Sequence, residues 1–207
     1  MQRLVLASQS PRRRDLLKEA GFKFEVDAVK VSEIIGENVN PENVVLDLAR
    51  KKANAVLNLP KYLKEPGFLI LAADTLVVLD GRPLGKPSDE AQARYFLSQL
   101  AGRTHSVMTG LYLATSDQSR SESCNVGHVE ITKVTFRTLS QSEIEKYVAT
   151  GEPMDKAGAY AIQGEGRKFV SSFVGSWSNV VGLPMEALES LLQKNAWIID
   201  RRKPKKN

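Results

Sequence analysis

Three cationic or anionic positions stand where folding alone would not put them. The run ASQSPRRR, residues 7–14, stacks three arginines onto the first turn of a helix opened by Ser10 and Pro11. Backbone N–H groups already give a helix N-terminus about half a unit of positive charge, so each added cation costs about 0.3–1 kcal/mol. Arg13 shares the helical stripe of Leu16, Leu17 and Ala20 and is expected to face inward, with Arg12 and Arg14 to either side. An inward guanidinium at a helix start, preceded by the hydroxyls of Ser8 and Ser10, suits an oxyanion such as phosphate. The competing account is a set of solvated guanidiniums partly relieved by Asp15.

Lys52 falls within the apolar stripe of Val45, Leu48, Ala49 and Val56. Its ammonium must either find a partner or snorkel to water along its own stem. Asp74 is a lone carboxylate inside LILAADTLVVL, and such a group must be paired, metal-bound, functional or bonded to nearby backbone N–H groups. Glu33 in VSEIIGE and Lys86 in PLGKP read singly as loop charges. As a set, these are carboxylates able to hold a divalent cation and separated cations able to hold phosphates. A nucleotide phosphohydrolase fits this inventory, and so do phosphosugar and phosphoprotein sites.

The elements that must position these residues belong to a chain of 207 residues, 42% apolar and 26% charged, of ordinary globular composition. One folded unit is expected over residues 1–198, with a basic tail over 199–207. The closing RRKPKKN supplies five of the 29 basic side chains, and the net charge is +5. The tail reads as a solvated terminus; it lacks the interleaved aromatics of a nucleic-acid binder. No apolar run approaches a membrane span and the N-terminal apolar stretch is too short for a secretory signal, so a cytoplasmic setting is expected. Cys124 is the only cysteine, and His105 and His128 sit in no zinc-type spacing.

A strand is expected at residues 3–7, then the helix that starts at Pro11 and ends just before Gly21, and a second helix opened by Asn40 and Pro41. GFLILAADTLVVLDGRPLG reads as a buried strand broken at Asp74 and Thr75, followed by a hairpin with its turn at Asp80-Gly81. Ser88 is expected to cap a third helix ending at Gly102. Two long strands follow, joined by the polar loop SDQSRSESCN. Ser140 and Glu143 form a capping box, and Pro184 opens the last helix. The intermixed elements imply a mixed α/β (α+β) class, with a sheet flanked by helices.

The segments ASQSPRRR, AADTLVVLDGRPLGKP, DKAGAYAIQGEG and NVVGLP, in this order, resemble the Maf family of nucleoside triphosphate pyrophosphatases over residues 2 to about 195. The resemblance implies a twisted, largely antiparallel mixed sheet with a cleft between two lobes, as in inosine triphosphate pyrophosphatase-like folds. It implies hydrolysis of a nucleoside triphosphate to the monophosphate and pyrophosphate with Mg²⁺, or a similar ion such as Mn²⁺. Asp74 matches the proposed proton acceptor, and Ser8, Arg12, Arg13, Glu33, Lys52 and Lys86 match polar substrate-site positions. Asp74 and Glu33 are the candidate metal ligands, and a homodimer is the implied assembly. Arg12, Thr75 and Gln163 match the branch of dTTP/UTP pyrophosphatases. The branch acting on 7-methyl-GTP tends to carry a residue other than arginine at the first position and a Gln and a Glu at the others. The amide of Gln163 suits the O4 and N3–H edge of uracil or thymine. Gln9 departs from the small residue usual between the two serines, and Lys156 reads equally as a site residue or an exposed loop lysine. Trp177 and Trp197 read as packing residues. A non-enzymatic regulator of cell division or septum formation is the alternative from another class.

Overall fold

A computed structural model describes residues 1–33, 39–116 and 125–202. Cys124, nearly all of the expected loop before it and residues 203–207 of the basic tail lie outside the described residues. The chain runs through β1 (Arg3–Leu6), α1 (Pro11–Glu19), β2 (Phe24–Val26), α2 (Pro41–Leu57), α3 (Pro60–Lys64), β3 (Phe68–Leu79), β4 (Arg82–Leu84) and α4 (Glu90–Leu100). It continues with β5 (Thr104–Thr115), β6 (Val126–Phe136), α5 (Gln141–Val148), β7 (Val170–Val174), α6 (Trp177–Val181) and α7 (Met185–Lys194). Short 3₁₀ turns at Glu152–Asp155, Ala157–Ala159 and Glu165–Phe169 fill the stretch between α5 and β7.

The strands make one mixed sheet in the order β2-β1-β3-β5-β6-β7, with β4 pairing on β3. The β1 pairings with β2 and β3 are parallel, and all others are antiparallel. The sheet is therefore largely antiparallel with helices packed on it, as expected. β3 differs from the expectation, because it is continuous through Asp74 and Thr75. Its ladder with β5 runs unbroken from Leu69↔Thr115 to Val78↔Ser106, so backbone pairing holds the strand across the two polar side chains.

The other edge of β3 is divided. β1 pairs with Phe68 to Leu71 and β4 with Val77 to Leu79, which leaves residues 72–76 without a strand partner on that side among the described residues. Side chains alternate across a sheet, so Ile70, Ala72 and Asp74 face α2 while Leu71, Ala73 and Thr75 face α1 and α7. The break in the edge lets both faces of β3 open on one space. Two apolar cores flank it, one holding Leu16 and Leu17 of α1 with Leu188 and Leu192 of α7, the other Phe96 and Leu97 of α4 with Ile144 and Val148 of α5. Trp197 is buried in the first core and Trp177 packs against it, in keeping with packing roles.

Local signals set most boundaries. Asn40 caps α2 by accepting from the Glu42 N–H, and Ser140 and Glu143 form the expected capping box. Asp80 and Gly81 both have positive φ, as a tight two-residue hairpin turn requires. Asp89, and not Ser88, caps α4: its carboxylate accepts from the Gln92 N–H at 2.7 Å. Residues 199–202, expected within the tail, dock on the fold through the Gln2↔Ile199 and Phe22↔Arg201 bridges and an Arg201–Glu189 ion pair.

Gly110 on β5 lies opposite Asp74, and a Cβ there would overlap the backbone carbonyl of Val45 in α2. Glycine at this point lets α2 sit low on the sheet, and Lys52 lies two turns along the same helix face from Val45. Gly110→Ala forces the helix outward: we expect a loss of about 1–3 kcal/mol in urea denaturation with the slope unchanged. His105, on β5 in the second core, is 2% exposed and bonds Tyr160 Oη through Nε2 at 2.8 Å. Burial pushes its pKa down to about 4. Between pH 6.5 and 4 the unfolded chain therefore binds a proton that the folded one refuses, and stability falls as pH drops through that window. The predicted loss reaches about 3 kcal/mol, and His105→Gln should remove it from a pH series of denaturation curves.

Candidate active site

β1 ends where β3 continues, and the chain leaves the sheet at Ala7, whose N–H donates to the Leu71 carbonyl. Ser8 then turns it into α1, its Oγ accepting from the Ser10 N–H at 3.2 Å. Ser10 occupies the N-cap position, but its side chain makes no capping bond. The start of α1 faces a cleft of about 790 Å³. That volume falls within the usual range for small-molecule sites. All ten residues expected at the site line it: Ser8, Ser10, Arg12, Arg13, Glu33, Lys52, Asp74, Thr75, Lys86 and Gln163.

Arg13 points inward, as its helical position requires, and three of its N–H groups are already engaged. Nε donates to the Gly182 carbonyl at 2.7 Å, Nη1 to Ser8 Oγ at 3.1 Å and Nη2 to Thr75 Oγ1 at 3.1 Å. One guanidinium thus ties the end of β1, the middle of β3 and the end of α6. Among the described residues nothing engages the other two of its five N–H groups, which can serve an anion. Desolvation draws its pKa below the ordinary guanidinium value, with nearby Asp74 acting against the shift. Thr75 also shares a 2.9 Å bond with Thr109 Oγ1, so its hydroxyl is committed beneath Arg13.

Lys52 lies on the opposite face of β3, with its side chain 16% exposed. Its Nζ sits 2.5 Å from Asp74 Oδ1 and 2.6 Å from Glu33 Oε1. The snorkelling alternative does not hold, and the cation expected on the phosphate chain is first a partner to the two carboxylates. A largely buried ammonium requires such counter-charges, and the Asp74 side chain, 12% exposed, requires the ammonium in turn. The hydrogen bond from Lys52 is the main cause that draws the Glu33 pKa below the ordinary carboxylate value. Two carboxylate oxygens converging on one cationic point also suit a divalent ion. Mg²⁺ is commonly held by one or two carboxylates, with substrate phosphates completing the shell. Among the described residues no cluster of three or more His, Cys, Asp or Glu offers a fuller protein cage.

The cleft contains one cation that single-residue reasoning missed and one that it left open. Lys30 lines it, and Lys156, read as an exposed lysine or a site residue, has its side chain 13% exposed and pairs with Asp155 on the cleft wall. Six cations (Arg12, Arg13, Lys30, Lys52, Lys86, Lys156) thus face three carboxylates (Glu33, Asp74, Asp155), a surplus of three that suits a polyanion. Tyr160 and Gly182 complete the wall. The positive φ of Gly182, at the end of α6, was visible in sequence only as the glycine of NVVGLP.

The model of the family described as Maf-like protein matches residues 3–195. The chain is 49% identical over 191 residues to the dTTP/UTP pyrophosphatase of Bdellovibrio bacteriovorus, covering 92% of this chain and 97% of that protein. It is 48% identical over 193 residues to the dTTP/UTP pyrophosphatase of Shewanella denitrificans, covering 91% and 93%. The corresponding protein of Bacillus pumilus is 43% identical over 193 residues, covering 93% and 96%.

Arg13→Lys keeps the charge but can reach only part of the fork that spans Ser8, Thr75 and Gly182. We expect it to cost about 1.5–3 kcal/mol by denaturant titration, in contrast to Arg14→Lys, which should change stability by less than about 0.5 kcal/mol.

Proposed function

The chain belongs to the Maf family, and from that premise we infer that it is a nucleoside triphosphate pyrophosphatase that splits dTTP and UTP into the monophosphate and pyrophosphate. The observation that carries this reading is the cleft itself, where a buried carboxylate-ammonium group stands beside a surplus of cations at the start of α1. In the reaction, water attacks the α-phosphorus, the bond from that phosphorus to the bridging oxygen breaks, and pyrophosphate leaves. Asp74 takes the proton of the attacking water. Lys52 holds the Asp74 carboxylate through Oδ1, which leaves lone pairs on the second oxygen for that transfer. Arg12, Lys86 and the two free N–H groups of Arg13 hold the phosphates and stabilise the departing pyrophosphate, with Ser8 and Ser10 at the helix start.

Asp74 and Glu33 are the residues that would hold Mg²⁺ or Mn²⁺, which would neutralise phosphate charge and polarise the α-phosphoryl group. Gln163, an exposed residue of the cleft lining, reads the pyrimidine edge, and Arg12 and Thr75 complete the branch-marking set. The relatives named dTTP/UTP pyrophosphatase favour this branch over a 7-methyl-GTP preference or a purely regulatory role. We place the enzyme in the cytoplasm as a homodimer that clears pyrimidine triphosphates, modified ones included, from the nucleotide pool. No helix among the described residues is long and apolar enough to cross a membrane.

Pyrophosphate release from dTTP or UTP with Mg²⁺ tests the assignment. Asp74→Asn should lower kcat by about 10²- to 10⁴-fold, and wild-type turnover in that variant would remove Asp74 from its role. Chelation with EDTA should abolish turnover, and adding back Mg²⁺ or Mn²⁺ should restore it.

A further inference from the structure

The loop that carries Gln163 is held from behind by a carboxylate outside the cleft lining. Ala161 to Gly164 form a tight turn closed by the Gly164 N–H on the Ala161 carbonyl at 3.4 Å, with Ile162 buried and Gln163 exposed at the centre. On the far side of this turn, Glu152 accepts from the Glu165 N–H at 3.0 Å through Oε2. Its Oε1 accepts from the Gly166 N–H at 3.2 Å and from Tyr147 Oη at 2.8 Å. On the near side, the Ala161 N–H donates to the same Tyr147 oxygen at 3.3 Å. The backbone is thus pinned both before and after Gln163 by one Glu–Tyr pair.

Gly164 supports this reading independently. Its φ of −112° is extended backbone and not the left-handed region that favours glycine, so a left-handed turn does not explain the glycine. A Cβ at this position would overlap both Glu152 carboxylate oxygens. The glycine is a vacancy that the carboxylate fills. Hydrogen bonds to a charged acceptor are stronger than neutral ones, which suits a short loop that must present one amide at a fixed place.

We propose that Glu152 is a positioning residue for base selectivity, fixing through Tyr147 and the Glu165 and Gly166 amides the turn that presents Gln163. The proposal rests on the reading of Gln163 as the residue that meets the base. It assigns no contact between Glu152 and the substrate, so the effect should lie in selectivity and KM more than in kcat.

Glu152→Gln and Gly164→Ala are compared with wild type for pyrophosphate release from dTTP, UTP, CTP and GTP, alongside amide hydrogen exchange of the free protein. Both variants should lower the ratio of kcat/KM for dTTP over CTP and GTP by about tenfold, with kcat for dTTP changed less than about threefold. Exchange at Ala161, Glu165 and Gly166 should accelerate by about tenfold or more. In a Glu152→Ala background, Gly164→Ala should add little, because the oxygens it would overlap are gone. An equal loss for all four nucleotides, or unchanged exchange at those amides, overturns the proposal in favour of a merely structural role. Gln163→Ala, run in parallel, separates the two readings. Altered selectivity there with none in Glu152→Gln rejects the clamp alone. Unaltered selectivity there, with selectivity and exchange both moved in Glu152→Gln, upholds the clamp and rejects Gln163 as the base reader.

Discussion

The ammonium of Lys52, held between Asp74 and Glu33, is the interaction on which the site depends. A carboxylate in the middle of a buried strand would be untenable without a nearby cation, and a lysine on the apolar face of α2 would be equally so without an acid. Each explains the other. Their meeting requires α2 to lie close to the sheet, which the absent side chain of Gly110 allows directly across the ladder from Asp74. The pair is also chemically usable, since it faces the gap where β1 has ended and β4 has not yet begun.

Arg13 plays the corresponding part on the other face of β3. A cation at a helix start opposes the helix dipole, and here that cost is offset by three hydrogen bonds that join separate segments of the chain. The guanidinium is suited to this, being a rigid fork with donors left over after the protein contacts are made. Architecture and a capacity to bind an anion are therefore not alternatives for this residue. The same is true of Thr75, whose hydroxyl supports Arg13 and is itself supported by Thr109.

Much of this was legible in the order of residues, for identifiable reasons. Arg13, Lys52 and Asp74 stood out because each set a charge against an apolar pattern, and such conflicts survive without knowledge of the fold. The capping box at Ser140 and the Asp80-Gly81 turn were visible because their chemistry is local. The continuity of β3 was not, since cross-strand pairing with β5 overrides the polar interruption and belongs to residues more than thirty positions away. Short elements such as β2, α3 and α6 also escaped notice, being too brief to establish a period. Lys30 and Tyr160 reach the cleft only through tertiary folding, as does the use of Glu152 behind the Gln163 turn.

The divided edge of β3 bears on how such a chain can change over generations. Asp74 and Thr75 are consecutive, yet they serve opposite faces of one strand and reach a common opening only because that edge is interrupted. Inserting or deleting a single residue between Leu71 and Asp74 would swap the faces, turning the acid toward Arg13 and the hydroxyl toward Lys52. Amino-acid replacements along this strand can be absorbed one at a time, but its length cannot drift. Among lineages that keep the reaction, the spacing here should be more invariant than the apolar residues that fill it.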